Sequence, residues 1–339
     1  MSDPDAPGSQ APLRKLTGVQ VVGTGSFVPN NVVTNDDLAS LGCDADWIIQ
    51  RTGIRQRRHA PPEMTTSDMA VAAAQRCIEA SGVAKEQIDL LLLATLSPDR
   101  LMPATATTVQ DRLGLCCGAM DLSAACSGFV YALITGMQYV ATGCSKRALV
   151  IGADANSRVV DPRDKKTYPL FGDGAGAVLL APGSETQGAL AYELGTDGSG
   201  ADLLCRDTGG AARPFDPNSQ DDGSWYMQMN GRPVFKWAVR LVEKSSRRVV
   251  EAAGLTVDQI DWWLLHQANV RILDAAVDSL GIDREKVVMH LDRYGNTSAG
   301  SVPIALDETL RAGQIERGQR LLMCGFGAGL TWGTIAWLW

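Results

Sequence analysis

The chain of 339 residues contains no Cys-x-x-Cys pair and only three histidines, His59, His266 and His290, far apart in sequence. Its eight cysteines, at positions 43, 77, 116, 117, 126, 144, 205 and 324, show no Cys/His spacing that suits zinc. No metal site is expected. Long hydrophobic runs are missing as well. The longest, Leu90 to Leu96, is about seven residues, whereas a bilayer needs roughly 20, so no membrane insertion is expected. The first residues, Met1 to Leu16, are rich in Pro, Asp, Gly and Ser and lack the apolar stretch of a signal peptide. They read as a flexible extension, and the cysteines as reduced thiols in a cytoplasm. A basic excess is also missing. The net charge of −7 argues against broad nucleic-acid binding, which wants a basic face.

What is present is ample core material, with 45% hydrophobic and 20% charged residues. The length suggests two domains or two packed halves. A faint internal repeat supports the second form. Gly82-Val-Ala-Lys-Glu-Gln-Ile-Asp89-Leu-Leu-Leu-Leu93 matches Gly254-Leu-Thr-Val-Asp-Gln-Ile-Asp261-Trp-Trp-Leu-Leu265. Asp111-Arg-Leu-Gly-Leu115 matches Asp278-Ser-Leu-Gly-Ile282, and Arg147-Ala-Leu-Val-Ile-Gly152 matches Arg320-Leu-Leu-Met-Cys-Gly325. The matches keep one order, at offsets near 170 residues. A boundary near Gly183 to Gly188 divides the chain into residues 17–185 and 186–339, after the extension of residues 1–16.

Each half alternates apolar strands with helical stretches. Thr66 or Ser67 is expected to cap a helix through Ala72, Ala73 and Ile78. Leu90–Leu93, Ala148–Ile151, Ala177–Leu180 and Leu321–Cys324 read as buried strands. Such strands imply an α/β sheet covered on both faces. Two such halves would stack into a layered α/β sandwich.

Four segments could carry chemistry. Cys126 precedes a helical stretch that is apolar on all sides and therefore buried. At a helix N-terminus, free N–H groups and the dipole favour an anion. The thiol pKa, about 8.5 unperturbed, is expected to fall toward neutrality. His266 ends the strand Trp262-Trp-Leu-Leu265, where α/β sheets place ligands. Asn296, in Gly295-Asn-Thr-Ser-Ala-Gly300, precedes a helix in the second half much as Cys126 does in the first. Cys324-Gly-Phe-Gly-Ala-Gly329 offers bare backbone that can approach a ligand closely. Each also has a plain structural reading: a core cysteine, a satisfied histidine, an N-cap, a glycine turn. Two hints of nucleotide loops fail. Val21-Val-Gly-Thr-Gly-Ser26 lacks a third glycine and meets Pro29, and Gly172-Asp-Gly-Ala-Gly176 has no following lysine.

Taken in order, Ala124-Ala-Cys126-Ser-Gly-Phe129, His266-Gln-Ala-Asn269 and Gly295-Asn296-Thr-Ser-Ala299 resemble β-ketoacyl-acyl carrier protein synthase III, a condensing-enzyme family of the thiolase superfamily. Trp47-Ile-Ile-Gln-Arg51-Thr-Gly-Ile-Arg55, Phe171-Gly-Asp-Gly-Ala-Gly176 and Phe326-Gly-Ala-Gly-Leu-Thr-Trp-Gly333 extend the likeness over residues 17 to 339. The resemblance implies a thiolase-like five-layered αβαβα sandwich of two duplicated halves, a homodimer and no cofactor. It implies that Cys126 takes an acyl group, typically acetyl, from coenzyme A. The oxyanion would meet backbone N–H groups of Cys126 and of Gly327 or Ala328. Malonyl-acyl carrier protein would then lose carbon dioxide, with His266 and Asn296 holding the enolate. For coenzyme A the likeness points to Trp47, Arg51, Lys165, Arg232 and Asn269, with Lys165 where relatives often carry a stacking arginine. For the acidic carrier protein it points to a basic patch of Lys236, Arg240 and Arg271, and for the acyl pocket to Met102, supplied across the dimer. The alternative within the superfamily is an acyltransferase of secondary metabolism, for polyketide or quinolone starters, head-to-head condensation or O-acyl transfer.

Overall fold

The computed structural model describes residues 11–219 and 222–339. Two five-stranded sheets organise it. The first runs Val19–Phe27, Gly174–Pro182, Ala148–Asp154, Leu90–Ala94, Gly118–Leu122 in spatial order, and the second runs Arg14–Thr17, Gly188–Thr196, Thr331–Leu338, Arg320–Gly327, Trp262–Leu265. All four strands expected from the sequence are there, each longer than its apolar kernel.

The side chains of each strand are shared between two cores because successive residues point to opposite faces. Leu90, Leu92 and Ala94 face the central core, while Leu91 and Leu93 face an outer one. In the second sheet, Leu321 and Met323 face the central core, and Leu322 and Cys324 the other outer one. A strand buried on both faces has no polar alternation, which is why these segments are continuously apolar. Helices Gly128–Ala141 and Ser301–Arg311 lie between the sheets. Thr66–Ser81 and Thr105–Leu113 cover the first sheet, and Gly231–Ala252 and Val270–Leu280 the second. The result is the αβαβα sandwich.

The repeated segments fall on equivalent elements. In chain order, the first half contributes five strands in spatial order 1-5-4-2-3, and the second repeats 1-5-4-2. The missing third strand survives as one parallel bridge between Trp263 and Val287, where Leu90–Ala94 pairs along its length with Gly118–Leu122.

Two expectations need correction. Residues 11–16 do not form a free extension: Arg14–Thr17 pairs antiparallel with Gly188–Thr196, and Ala11 is buried in the core beside the second sheet. Residues 1–10 lie outside the described residues. The cap of the helix through Ala72 is Thr65, which accepts the N–H of Asp68 while Asp68 accepts that of Thr65. Thr66 instead donates its hydroxyl to the carbonyl of Ser97, 2.6 Å away.

The halves meet at Gly152. A Cβ there would lie 2.2 Å from the carbonyl oxygen of Ala299 and 2.8 Å from its carbon. Gly152→Ala is expected to destabilise the protein by about 2–3 kcal/mol through overpacking. Urea unfolding should show a lower midpoint at unchanged slope. An unchanged midpoint would mean that the two backbones are not so tightly apposed.

Candidate active site

Cys126 sits in a 3₁₀ turn, Ala125–Ser127, that runs directly into helix Gly128–Ala141. Ala125 takes φ +46°, which turns the chain sharply from the strand into the helix. The second half repeats the device. Ser298, at φ +51°, opens the turn Ser298–Gly300, which runs into helix Ser301–Arg311. The two turns touch. Ser298 Oγ donates to Cys126 Sγ at 3.4 Å. Asp154, at the end of its strand, accepts the N–H of Ala299 at 3.0 Å, and its other oxygen takes the hydroxyls of Thr95 and Ser97, each at 2.9 Å.

Asn296 is held between Leu170 and Gly172. Its N–H donates to Leu170 O at 2.8 Å, and its own carbonyl accepts from Gly172 N at 3.0 Å. Its side-chain Oδ1 accepts the N–H of Ser298 at 2.8 Å. The amide is thereby oriented, with Nδ2 left for the cavity that Asn296 lines.

His266 follows the strand Trp262–Leu265, anchored by its N–H to Cys324 O at 2.8 Å. Its ring meets Phe326 edge-on, with centroids 5.1 Å apart. The side chain is buried, yet neither ring nitrogen has a hydrogen-bond partner among the described residues. Buried polar atoms without partners are rare and need a reason; here both belong to a residue that lines a cavity. Burial, with a smaller contribution from His290, pushes the imidazole down to about 3, so it is neutral.

The cavity has a volume of about 730 Å³, and Cys126, His266 and Asn296 all line it. So do Gly327 and Ala328. A Cβ on Gly327 would lie 2.9 Å from both the N and the Cβ of Cys126, so only glycine brings the loop this close. Thr331 ties the loop down, donating to Ala328 O at 2.8 Å and accepting from Ser127 Oγ at 2.9 Å.

The thiol differs from the expectation. Burial pushes Cys126 up to about 12, opposed by the hydrogen bond from Ser298 and reinforced by Asp154. The sequence reveals the helix tip but not how dry it is. At neutral pH the free protein holds a thiol beside a neutral imidazole. Alkylation of Cys126 by iodoacetamide, which reports the thiolate fraction, is expected to rise about tenfold per pH unit up to pH 9. A plateau near pH 7 would show that the helix N-terminus outweighs desolvation.

Of the expected coenzyme A residues, Trp47, Arg51, Lys165 and Asn269 line the cavity and Arg232 does not, although its neighbour Gly231 does. Arg232 is exposed at the start of helix Gly231–Ala252. Arg51 already covers Trp47, with Cζ 4.8 Å from the ring centroid. Lys236 and Arg240 are exposed one turn apart on helix Gly231–Ala252, and Arg271 lines the cavity. Met102 does not line the cavity of its own chain. It is 84% exposed beside Leu101, also 84% exposed. Ser298 and Asp154 were not singled out from the sequence. Ser298 lies two residues after Asn296 within the same motif, but nothing local reveals its contact with a sulfur 172 positions away.

Among the described residues no cluster of His, Cys, Asp and Glu could hold a metal, and no helix is long and apolar enough to cross a membrane. Two family models match, 3-oxoacyl-[acyl-carrier-protein] synthase III over residues 120–198 and its C-terminal counterpart over residues 250–339. β-Ketoacyl-[acyl-carrier-protein] synthase III of Rhodopirellula baltica is 52% identical, covering 96% of this chain and 100% of its own. The enzyme of that name from Desulfitobacterium hafniense is 46% identical, over 96% and 98%. The crystal structure of 3-oxoacyl-[acyl-carrier-protein] synthase III from Aquifex aeolicus superposes with a TM-score of 0.87 at 40% identity, over 95% and 100%. The chain therefore belongs to the β-ketoacyl-acyl carrier protein synthase III family, the decarboxylating condensing acyltransferases that open fatty acid synthesis.

Proposed function

We propose that Cys126, His266 and Asn296 carry the two half-reactions of this condensation, with acyl-coenzyme A and malonyl-acyl carrier protein as substrates. The observation that carries the reading is one cavity lined by a thiol at a helix tip, an amide with its Nδ2 free, and a buried imidazole with both nitrogens unpartnered. Cys126 Sγ attacks the thioester carbonyl. The oxyanion passes to the N–H groups of Cys126 and of Gly327 or Ala328, and the thiol proton leaves on coenzyme A. Malonyl-acyl carrier protein then enters. Its carboxylate departs as carbon dioxide, and the electron pair moves into an enolate whose oxygen is held by a His266 N–H and Asn296 Nδ2. The enolate carbon attacks acyl-Cys126, and the cysteine sulfur leaves and regains a proton. Decarboxylation makes the carbanion without a strong base, and two neutral donors in a dry site serve the enolate without a metal or other cofactor.

Trp47, Arg51, Lys165 and Asn269 take coenzyme A, and Lys236, Arg240 and Arg271 meet the acidic carrier protein. Leu101 and Met102, large and bare side by side, are the kind of surface that a partner covers. That supports a homodimer in which Met102 reaches the acyl pocket of the other subunit. The duplicated halves are taken as residues 17–185 and 186–339, joined by the turn between strands Gly174–Pro182 and Gly188–Thr196, and the enzyme is placed in the cytoplasm.

The test is product analysis with acetyl-coenzyme A and malonyl-acyl carrier protein, followed by a primer panel from acetyl to octanoyl with branched forms. The expected product is a 3-ketoacyl-acyl carrier protein with release of coenzyme A and carbon dioxide. An ester, or a product formed without decarboxylation, would favour the secondary-metabolism acyltransferase instead.

A further inference from the structure

The cavity carries charge of one sign. Arg51, Lys165, Lys166, Arg206 and Arg271 line it, and no described Asp or Glu does, in a chain whose net charge is −7. Arg206 belongs to no motif singled out in the sequence. It follows the two-residue strand Leu204–Cys205, and a built platform holds it. Its Nε donates to the carbonyl of Trp225 at 2.6 Å, and its Cζ lies 4.0 Å from the centroid of the Trp225 ring. Phe215 packs edge-on to that ring, with centroids 5.1 Å apart. The loop carrying them is knitted to itself, by Trp225 N to Ser219 O at 2.9 Å and by Arg213 to Asp222 at 2.7 Å.

The guanidinium thus has one edge and one face engaged, while its two terminal nitrogens have no acceptor among the described residues. Desolvation alone lowers its pKa, and no carboxylate raises it back. A guanidinium fixed in plane with a free fork is a bidentate receptor for an oxyanion. Lys165, exposed and flexible, supplies charge without that fork.

We propose that Arg206, with Trp225 as its positioning residue, binds a phosphate of the pantetheine-bearing substrate at the mouth of the cavity. The inference rests on the thioester substrates proposed above. That phosphate has two sources, coenzyme A and the phosphopantetheine of the carrier protein.

The test compares the second-order rate of Cys126 acetylation by acetyl-coenzyme A with that by S-acetyl-pantetheine, which has no phosphate. For Arg206→Met the rate with acetyl-coenzyme A is expected to fall about tenfold, the worth of one charge-assisted hydrogen bond, and that with acetyl-pantetheine to stay within about twofold. Arg206→Lys should lie between, and Trp225→Leu should fall less but with the same selectivity. A second arm measures condensation of malonyl-acyl carrier protein on enzyme already acetylated. A loss there alone supports the proposal and assigns the phosphate to the carrier, and a loss in both arms assigns the site to both sources. An equal loss with acetyl-pantetheine, or no loss with either phosphate-bearing substrate, overturns it. If the wild type is not acetylated at all, the reading of the site fails; if it is, and Arg206→Met matches it with both phosphate-bearing substrates, only the present inference fails.

Discussion

Cys126→Ala is expected to abolish acyl transfer, by on the order of 10⁴–10⁶-fold, because no other group in the cavity can form the acyl-enzyme. Cys205 also lines the cavity, but its thiol is engaged elsewhere, donating to Asp207 Oδ1 at 3.3 Å. It lacks both the helix tip and the bare glycine loop that surround Cys126. Intact mass after exposure to acetyl-coenzyme A should show one acetyl group on the wild type, mapping to the Cys126 peptide, and none on the variant. Acetylation that persists in Cys126→Ala, or maps to Cys116, Cys117 or Cys205, would overturn the assignment. The variant should fold. The sulfur's one side-chain hydrogen bond is a long one from Ser298, and the surrounding Ala124, Ala125 and Gly327 are small. Loss of acylation therefore reports chemistry and not collapse.

The sequence carries much of this site because its residues sit at punctuation points. Cys126 and Asn296 each end an extended segment and precede a buried helix, and His266 ends a strand, so pattern alone brings them to one layer boundary. The strands were legible for the same reason: Leu90–Ala94 and Arg320–Gly327 are buried on both faces and leave no polar interruption. Gly118–Leu122 shows only as an extended piece running toward Cys126, because Gly, Met and Asp at a partly exposed sheet edge give no continuous apolar run. Depth was hidden too. The helix tip argued for a thiolate, but burial that no local pattern records drives the thiol the other way. Long-range contacts were equally invisible. Asp154 reads as an ordinary end of strand, yet it clamps Ala299 from the opposite half. Met102 shows a different limit, since a residue 84% exposed in one chain can line a pocket only when a second chain is present.

The half-reactions should separate at Asn296. Asn296→Ala is expected to leave Cys126 acetylation near the wild-type rate, because no step of that transfer uses the amide. Decarboxylation of malonyl-acyl carrier protein should fall by about 10²–10³-fold, the usual cost of one preorganised oxyanion donor. His266→Ala should lower decarboxylation by a similar factor, since the proposed mechanism makes a ring N–H the second donor. The neutral imidazole, held down to about 3 by burial, makes this loss independent of pH between 6 and 9. Asn296→Asp is the sharper variant. A carboxylate keeps the size and can still accept the N–H of Ser298, but it presents negative charge to a developing enolate, so it should fall below the alanine variant. The measurement is carbon dioxide release by Cys126→Ala and by Cys126→Ala carrying each second change, so that acylation cannot mask the effect. Full-rate release from either double variant would remove that residue from the enolate site. An aspartate variant as active as wild type would show that Asn296 supports the backbone of Ser298 and takes no part in the chemistry.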